Sequence, residues 1–372
     1  MTTTTSRTTS TSTSTSTPES TSTSTSPTTS TPPTASTPLA STAVTAPAPP
    51  PALARCHALV RPALEAAVGR LHPWVGEMAA YSFGWCEVGG APAGGPGGKG
   101  VRQALALLGA EAAGGPAARG VPAAVAVELV HAFSLLHDDI MDGDDLRRRR
   151  PAVWRAYGTG PAVLAGDALF ALAVETLATA PGGPGAVRLL SAALTDLVRG
   201  QADDLLFATR PWTGVSPREY RLMAEHKTGA LLGCALALGA TLAGAPADTV
   251  SALDRAGRQL GVAFQLADDV LGIWGDPAVT GKPVHGDLRE RKKTFPVLAA
   301  LGSTAGPRLA RLLDTPGRTG EAAALVEEAG GRAAAVAEAR RHTARAEALL
   351  AGLPAEPAGL RGLLEFLVRR DL

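Results

Sequence analysis

The sequence predicts an all-α protein: a large single-domain helical bundle preceded by a disordered tail. Ala and Leu dominate from about residue 101 onward, and alternating β-branched residues are scarce. Apolar positions recur every three or four residues, which is the helical period, over the windows 121–141, 186–207, 221–243 and 251–273. Because several of these windows are apolar on all sides, we expect many of the helices to be buried.

Clusters of Gly and Pro separate the helical windows and predict the loops between them. They lie at residues 91–98, 114–116, 181–184 and 244–246. No strand–helix alternation indicates a parallel sheet, and no internal repeat has a clear period. One acidic motif, however, occurs twice.

Residues 1–50 differ in composition from the rest of the chain. They are almost entirely Thr, Ser, Pro and Ala, and their only charged side chains are Arg7 and Glu19. Such a segment buries too little apolar surface to offset the entropy lost on folding, so we predict a disordered tail. It lacks the basic start and apolar run of a secretory signal. Since no second compositional break follows, residues 51–372 are predicted to form one domain.

Charge and cysteine content exclude several classes of protein. The formal net charge of +1 gives no electrostatic case for a nucleic-acid partner. The three cysteines are widely spaced and form neither a disulfide framework nor a zinc pattern, which fits a reducing cytoplasm. No uncharged apolar run reaches the roughly 18 residues needed to span a bilayer, so we do not expect an integral membrane protein.

The first acidic motif, HDDIMD at residues 137–142, ends an apolar helical window. A helix advances about 100° per residue, so Asp138 and Asp142 lie one turn apart on one face. Carboxylates repel each other there and are unfavourable at a helix C-terminus. A divalent cation would offset this cost, and Mg²⁺ commonly bridges carboxylates to substrate phosphates. Aspartates that simply end a helix in water are the alternative.

The second acidic motif, QLADDVLG at residues 265–272, also ends an apolar helix. One turn after Asp268 stands Gly272, so the third carboxylate is missing. A second copy in apolar sequence favours the metal-binding interpretation over that of a solvated helix end.

Basic residues surround both motifs. Four arginines follow the first motif at 147–150, and Lys282 and the run RERKK at 289–293 follow the second. Arg and Lys donors beside a carboxylate-bound metal suit a polyanionic ligand such as a diphosphate. For the arginine run alone, a solvated or nucleic-acid-binding loop is the alternative.

Taken together, these segments resemble the trans-isoprenyl diphosphate synthases of the polyprenyl synthetase family. The resemblance covers about residues 55–372 and rests on five segments in order: GGKGVR (97–102), ELVHAFSLLHDDIMDGDDLRR (128–148), GQADDL (200–205), KT (227–228) and FQLADDVLGIWGDPAVTGKPVHGDLRERKKTFP (264–296). It implies that residues 51–372 are a catalytic domain with the isoprenoid synthase type I fold, a helical bundle around a deep central cavity, and that the protein is a homodimer.

The resemblance also implies a role for individual residues. Up to three Mg²⁺ would be held by Asp138, Asp139, Asp142, Asp268, Asp269 and Asp287. The allylic diphosphate would contact Arg147, Lys227 and Lys282, and isopentenyl diphosphate would contact Lys99, Arg102, His131 and Arg148. Thr228 and Gln265 match polar neighbours of the reacting carbons.

The implied reaction is a condensation of isopentenyl diphosphate with an allylic diphosphate. Mg²⁺ and cationic side chains would neutralise the departing diphosphate. Three departures from the family pattern stand out: Gly272 replaces an aspartate, Gly100 and Gln103 replace an Arg and a Pro, and the pair 149–150 replaces Gly-Lys. We expect activity to survive the first, with weaker metal binding.

The product is predicted from the residues that precede the first motif. Ser134 lies one turn before Asp138, and Phe133 lies five residues before it. In relatives, an aromatic residue at this position limits the chain; ordinary core packing is the alternative for Phe133. The first motif also has no insertion between its aspartates. These features favour geranylgeranyl over farnesyl diphosphate.

Two other functions and one partner are left open. A non-catalytic subunit of a prenyltransferase is indicated by Gly272 alone. A class I terpene cyclase would lack its usual Asn/Ser/Glu metal triad here, and only 15 aromatic residues are present to steady carbocations. The tail would be either an inert linker or a segment that docks the enzyme into an encapsulin-type shell, by analogy with prenyltransferases that have similar leaders.

Overall fold

The structure is a computed structural model that describes residues 50–93, 98, 100–277, 284–353 and 358–369. Its first helices are α1 (Pro51–Val68), α2 (Pro73–Ser82), α3 (Val101–Ala112), α4 (Val121–Asp142), α5 (Val153–Tyr157), α6 (Thr159–Ala178), α7 (Gly183–Thr209) and α8 (Pro217–Ala224). The remaining helices are α9 (Ala230–Ala243), α10 (Ala247–Trp274), α11 (Gly286–Arg289), α12 (Phe295–Leu301), α13 (Gly306–Leu313), α14 (Thr319–Glu328), α15 (Gly331–Leu350) and α16 (Ala358–Arg369).

Helix α9 lies at the centre of the bundle. Nearly all of its residues are buried, and it packs against α3, α4, α7 and α10. This explains why its sequence is apolar all round rather than amphipathic. The helices that carry the acidic motifs, α4 and α10, are therefore held by a common neighbour.

The four predicted helical windows are confirmed, with one difference in detail. Three of them correspond to α4, α7 and α10. The window 221–243 is interrupted by a π-helical turn, Glu225–Gly229, between α8 and α9. This turn packs directly on α7, since a Cβ added to Gly200 would lie 2.6 Å from the Cα of Lys227.

A short β-hairpin follows α4 and contains the only strands in the described part of the chain. Strand β1 (Leu146–Arg147) pairs antiparallel with β2 (Arg150–Pro151). The two-residue turn between them is formed by Arg148 and Arg149, with φ angles of 53° and 65°. Such left-handed angles are typical of tight hairpin turns but are rarely adopted by residues other than Gly, Asn and Asp.

Two helical stretches, 117–142 and 159–178, are long and apolar enough to cross a membrane. A buried core helix passes the same test, and most of the first stretch is buried. The second corresponds to α6, which packs against α4 and α7. The expectation that the chain is not an integral membrane protein stays a prediction.

The described helices belong to one compact unit that spans residues 46–372. The predicted disordered tail, residues 1–50, lies outside the described residues except for Pro50. The tail therefore stays a prediction.

Candidate active site

The first acidic motif lies in the last turns of α4, and its middle aspartate faces the protein. Asp139 is buried and accepts hydrogen bonds from Arg147 Nε at 2.6 Å to Oδ1 and 2.8 Å to Oδ2. Arg147 Nη2 forms a further ion pair with the same carboxylate. Asp139 therefore holds the β1 arginine in place.

The outer aspartates of this motif have a different environment. Within the described residues, Asp138 and Asp142 have no hydrogen-bond or ion-pair partner. Burial raises the pKa of Asp138 to about 6, against the opposing positive charge of Lys227. Partial burial also raises the pKa of Asp142, and Lys227 and Lys292 oppose that shift. Two carboxylates that lack a direct partner and lie near lysines are suited to a divalent cation.

The second acidic motif lies near the end of α10 and again has one aspartate turned inward. Asp269 is buried; its Oδ2 accepts hydrogen bonds from the backbone N–H of Phe295 at 2.9 Å and from the hydroxyl of Tyr220. Its Oδ1 accepts from Gln265 Nε2 at 3.3 Å. Burial raises the pKa of Asp269 to about 8 although these donors oppose the shift. Its neighbour Asp268 is exposed.

Lys227 and Thr228 are presented by the π-helical turn. Lys227 Nζ donates to Asp204 Oδ2 on α7 at 2.6 Å. The hydroxyl of Thr228 donates to Gln265 Oε1 on α10 at 2.9 Å. Single π-helical turns within helices are frequent at functional sites. Here the turn links α7 to α10 beside the first motif.

Arg147 and Lys227 form one cationic group beside the first motif. A second cationic group lies between α3, α4 and the hairpin. Arg102 Nη1 lies 3.1 Å from His131 Nε2. Burial and the charges of Arg102 and Arg148 lower the pKa of His131 well below its usual value, so the ring is neutral and its Nε2 can accept this hydrogen bond. Arg102 Nε is buried and has no hydrogen-bond partner in the described part of the chain. An unpaired buried donor of this kind is suited to an anionic ligand.

Electrostatic interactions connect the two motifs. Lys292 interacts with both Asp142 of the first motif and Asp287 of α11. Arg102, beside the first motif, interacts with Asp268 of the second. The structure therefore brings both acidic motifs and both cationic groups to one site. Lys99 and Lys282 lie outside the described residues.

The sequence model of the polyprenyl synthetase family matches residues 93–329, which include both acidic motifs. The chain belongs to the polyprenyl synthetase family. It is a prenyltransferase, as its sequence predicts, and the predicted all-α isoprenoid synthase fold is confirmed by the similarity to solved structures.

Individual relatives of this family cover most of the chain. A (2E,6E)-farnesyl diphosphate synthase of Mycobacterium tuberculosis is 45% identical over 336 residues, which is 86% of this chain and 93% of the relative. A geranylgeranyl diphosphate synthase of the same organism is 42% identical over 331 residues, with the same coverage. The crystal structure of a polyprenyl synthetase from Streptomyces coelicolor has a TM-score of 0.81 at 45% identity and covers 86% of this chain and 99% of that one.

The donor set of this polyprenyl synthetase fits Mg²⁺ bound jointly with substrate. Carboxylate oxygens are the ligands that Mg²⁺ prefers. Within the described residues, no group of three or more acidic, His or Cys side chains is clustered tightly enough to hold an ion by itself. Mg²⁺ is usually bound by one or two carboxylates and completed by substrate phosphates and water. Asp138, Asp142 and Asp268 would hold the ion in that mode of binding.

Phe133 and Ser134 lie on α4, before the first motif. The ring of Phe133 contacts His137 with centroids 4.8 Å apart and Phe170 of α6 at 5.6 Å. The hydroxyl of Ser134 donates to the backbone carbonyl of His131 at 2.9 Å. Phe133 is therefore one half of an aromatic pair that joins α4 to α6, and the sequence did not predict Phe170 as its partner.

Four site residues were not predicted from the sequence: Asp204, Glu128, Tyr220 and Lys292. Asp204 lies in the segment GQADDL, and Lys292 in the basic run after the second motif, so both had a sequence signal. Glu128 is half-buried and its Oε1 accepts from the backbone N–H of Gln103 at 3.1 Å. Tyr220 lies 49 residues before Asp269, and no local pattern connects the two.

Proposed function

We propose that the protein condenses isopentenyl diphosphate head-to-tail with allylic diphosphates to form a short-chain prenyl diphosphate, chiefly geranylgeranyl diphosphate. The observation that carries this proposal is the meeting of outward-facing aspartates from α4 and α10 with two separate cationic groups. A site for one diphosphate would need only one such group. Curated relatives named farnesyl and geranylgeranyl diphosphate synthases support the reaction class.

The allylic diphosphate is assigned to the side of the site that carries Lys227 and Arg147. Asp138, Asp142 and Asp268 would hold up to three Mg²⁺, which would supply positive charge to the leaving diphosphate. Lys227, fixed by Asp204, and Arg147, fixed by Asp139, supply positive charge at set positions. The allylic C–O bond breaks, and its electron pair leaves with the diphosphate.

Isopentenyl diphosphate is assigned to the group that contains Arg102, His131 and Arg148. The neutral His131 ring orients Arg102 by accepting a hydrogen bond from it, and Lys99 is expected to join this group. The double bond of isopentenyl diphosphate attacks the cationic allylic carbon, and a proton is then lost to the released pyrophosphate. Thr228 and Gln265, bonded to each other, border the reacting carbons in this assignment.

The reaction is tested by incubating the purified chain with isopentenyl diphosphate, Mg²⁺ and, in separate reactions, dimethylallyl, geranyl and farnesyl diphosphate. Chromatography of the dephosphorylated products is expected to show one dominant geranylgeranyl product. No elongation by the purified chain would support a non-catalytic subunit instead. A cyclic hydrocarbon from a single allylic substrate would identify a cyclase.

Farnesyl diphosphate is the alternative product, because the farnesyl synthase relative is 45% identical and the geranylgeranyl synthase 42%. Phe133 supports a short product, since its half-buried ring on α4 would block a growing chain. Phe133→Ala is expected to lengthen the product, and Phe133→Tyr, which keeps the ring, is the matched control. Unchanged product length in the Ala variant would show that Phe133 does not limit the length of the product.

A homodimer is also proposed. Helices α6 and α7 pack against each other and expose large apolar side chains: Val163, Leu164, Phe170, Val198, Leu205 and Leu206. Exposed apolar surface of this kind marks interaction sites. Sedimentation analysis is expected to give twice the 37.7 kDa chain mass; a monomer at working concentration would contradict this.

Docking of residues 1–50 to an encapsulin-type shell, and the cytoplasmic location, stay predictions. If the tail docks the enzyme, removing residues 1–50 abolishes recovery with shell protein and leaves the rate of the catalytic domain unchanged. Equal recovery of both forms would show that the tail is a linker.

A further inference from the structure

The β-hairpin after α4 carries two of the arginines that the proposed function assigns to the diphosphates, Arg147 and Arg148. Both residues of its turn have left-handed backbone angles, with φ of 53° at Arg148 and 65° at Arg149. Such angles are unfavourable for residues with a Cβ and persist only where the surrounding structure fixes them. Where the family commonly has Gly-Lys, this chain has two arginines at 149–150, so it lacks the glycine that would adopt the turn without strain. The hairpin therefore depends on contacts outside its turn.

Arg150 supplies contacts of this kind. In the antiparallel ladder it stands directly opposite Arg147, so the backbone positions of these two residues are linked. Its guanidinium donates hydrogen bonds to the backbone carbonyls of Tyr81 at 3.3 Å and Cys86 at 2.7 Å. It also donates to Glu87 Oε2 at 2.9 Å and lies 4.1 Å from the centroid of the Tyr81 ring. A planar guanidinium can make several such contacts at once, whereas a lysine ammonium lacks this fixed fork of donors.

The hydroxyl of Tyr81 adds a bond in the opposite direction. It donates to the backbone carbonyl of Pro151, the second residue of β2, at 2.8 Å. Because Tyr81 is buried and Arg150 is half-buried, solvent weakens these contacts less than those of an exposed ion pair. Strand β2 is therefore fixed to the end of α2 by one side chain from each of the two elements.

The residues that Arg150 contacts come shortly before the segment GGKGVR, residues 97–102. Arg148 meets this segment directly, since a Cβ added to Gly98 would lie only 2.8 Å from Arg148 Nη2. Burial lowers the pKa of Arg102, at the end of the segment, and the nearby positive charge of Arg148 adds to that shift. Like charges held this close repel each other, so their alignment depends on a rigid backbone. Arg150 joins the hairpin to the chain that leads to the segment.

We propose that Arg150 is a positioning residue for the diphosphate site, because it fixes the hairpin arginines, Arg147 and Arg148, in place. It does so by joining β2 to residues 81–87. The exchange of Gly-Lys for two arginines is then a coupled one, since the strained turn at Arg149 is compensated by the contacts of its neighbour. The inference rests on the proposed function, which assigns the hairpin arginines to the two diphosphates, and it goes further by giving this exchange a role.

Variants at the two exchanged positions test the inference. Binding of isopentenyl diphosphate is measured by titration calorimetry without an allylic substrate, so that no turnover occurs. R150A is expected to weaken binding by about tenfold, and R150K by less, because lysine keeps the charge but not the fork of donors. R149G/R150A is expected to bind more tightly than R149A/R150A. Both double variants lack the same side chains, but only glycine adopts the turn without strain.

The matched control is R61A. Arg61 also forms an ion pair, with Glu65, and lies 4.3 Å from the centroid of an aromatic ring, that of Trp85. Because Arg61 belongs to α1 rather than to the hairpin, R61A is expected to bind isopentenyl diphosphate like wild type.

Thermal melts followed by circular dichroism are recorded for every variant. A purely structural role for Arg150 would lower the melting temperature and leave the affinity well below it unchanged. Wild-type affinity in R150A, or in R150K if R150A does not fold, would overturn the inference. Equal affinities of the two double variants would overturn the coupling to Arg149. A wild-type protein that does not bind isopentenyl diphosphate would overturn the proposed function instead.

Discussion

The two acidic motifs share the sequence Asp-Asp at the end of an apolar helix, yet their inner aspartates are held by different kinds of partner. Asp139 in α4 is paired with the guanidinium of Arg147. Among the described residues, the hydrogen-bond donors to Asp269 in α10 are all uncharged, namely Tyr220, Gln265 and the Phe295 backbone. Within the described residues, the inner aspartate of the first motif therefore holds a cation, whereas the inner aspartate of the second motif does not.

This difference indicates that the inner aspartates of the two motifs have different roles. In our proposal, the outer aspartate of each motif binds metal and the inner aspartate positions other groups. On the α4 side the positioned group is Arg147, which the proposal assigns to the allylic diphosphate. On the α10 side the positioned groups join α8, α10 and α12 and are part of the protein core. A change of the inner aspartate should thus affect substrate binding in one motif and folding in the other.

The largest loss of activity is expected from removing the outer carboxylate of either motif, Asp138 or Asp268. The loss should be similar for the two motifs. D138N and D268N are each expected to lower kcat by about 10²–10³-fold, because stabilisation of the leaving diphosphate is lost. Initial rates at saturating substrate over a range of Mg²⁺ concentrations measure this. D248N, exposed in the first turn of the same α10 helix, is the control. A rate near wild type in D268N would show that the motifs are not equivalent.

A smaller effect with two components is expected from D139N. The amide is a poorer partner for Arg147, so KM for the allylic diphosphate should rise by about tenfold, equivalent to about 1.4 kcal/mol. Stability should fall by about 1–2 kcal/mol, a value that allows for the partial exposure of Arg147. Steady-state kinetics and urea unfolding separate the two components. If only stability changes, Arg147 does not bind the allylic substrate.

D269N is expected to affect stability more than substrate binding. It leaves one of the donors around residue 269 without an acceptor in the core, which costs about 1–3 kcal/mol of unfolding free energy. Well below the melting temperature it should retain more of its rate than D268N. The ratio of these two rates is the critical measurement. A rate as low as that of D268N would show that Asp269 acts on the substrate rather than on the fold.

The smallest expected effect is that of Y220F. It removes one hydroxyl donor from Asp269 but leaves Phe295 and Gln265 in place, so the loss should be about 1 kcal/mol in urea unfolding, with an unchanged Mg²⁺ requirement. Y157F removes a hydroxyl that donates to Glu77 at 2.9 Å rather than to an aspartate of either motif, and is the matched control. An altered Mg²⁺ requirement in Y220F alone would show that the inner hydrogen bonds tune metal binding.

The sequence by itself determined the helical architecture, the family and the two acidic motifs. Helical period and apolar content depend on neighbouring residues, so the windows that became α4, α7 and α10 were visible without coordinates. The missing third carboxylate of the second motif, at Gly272, was equally visible, because it breaks a local sequence pattern.

Only the tertiary structure decided which aspartate of each motif faces the site. Adjacent residues on a helix differ by about 100° in direction, but the direction that leads to the site depends on neighbouring elements. Arg147, Tyr220 and Phe295 fix it here, and two of them are distant in sequence from the aspartate they hold. The same reason hid the position of Asp287, whose carboxylate occupies the space that a side chain on residue 272 would need. A loop that folds back on a helix leaves no periodic pattern in the sequence.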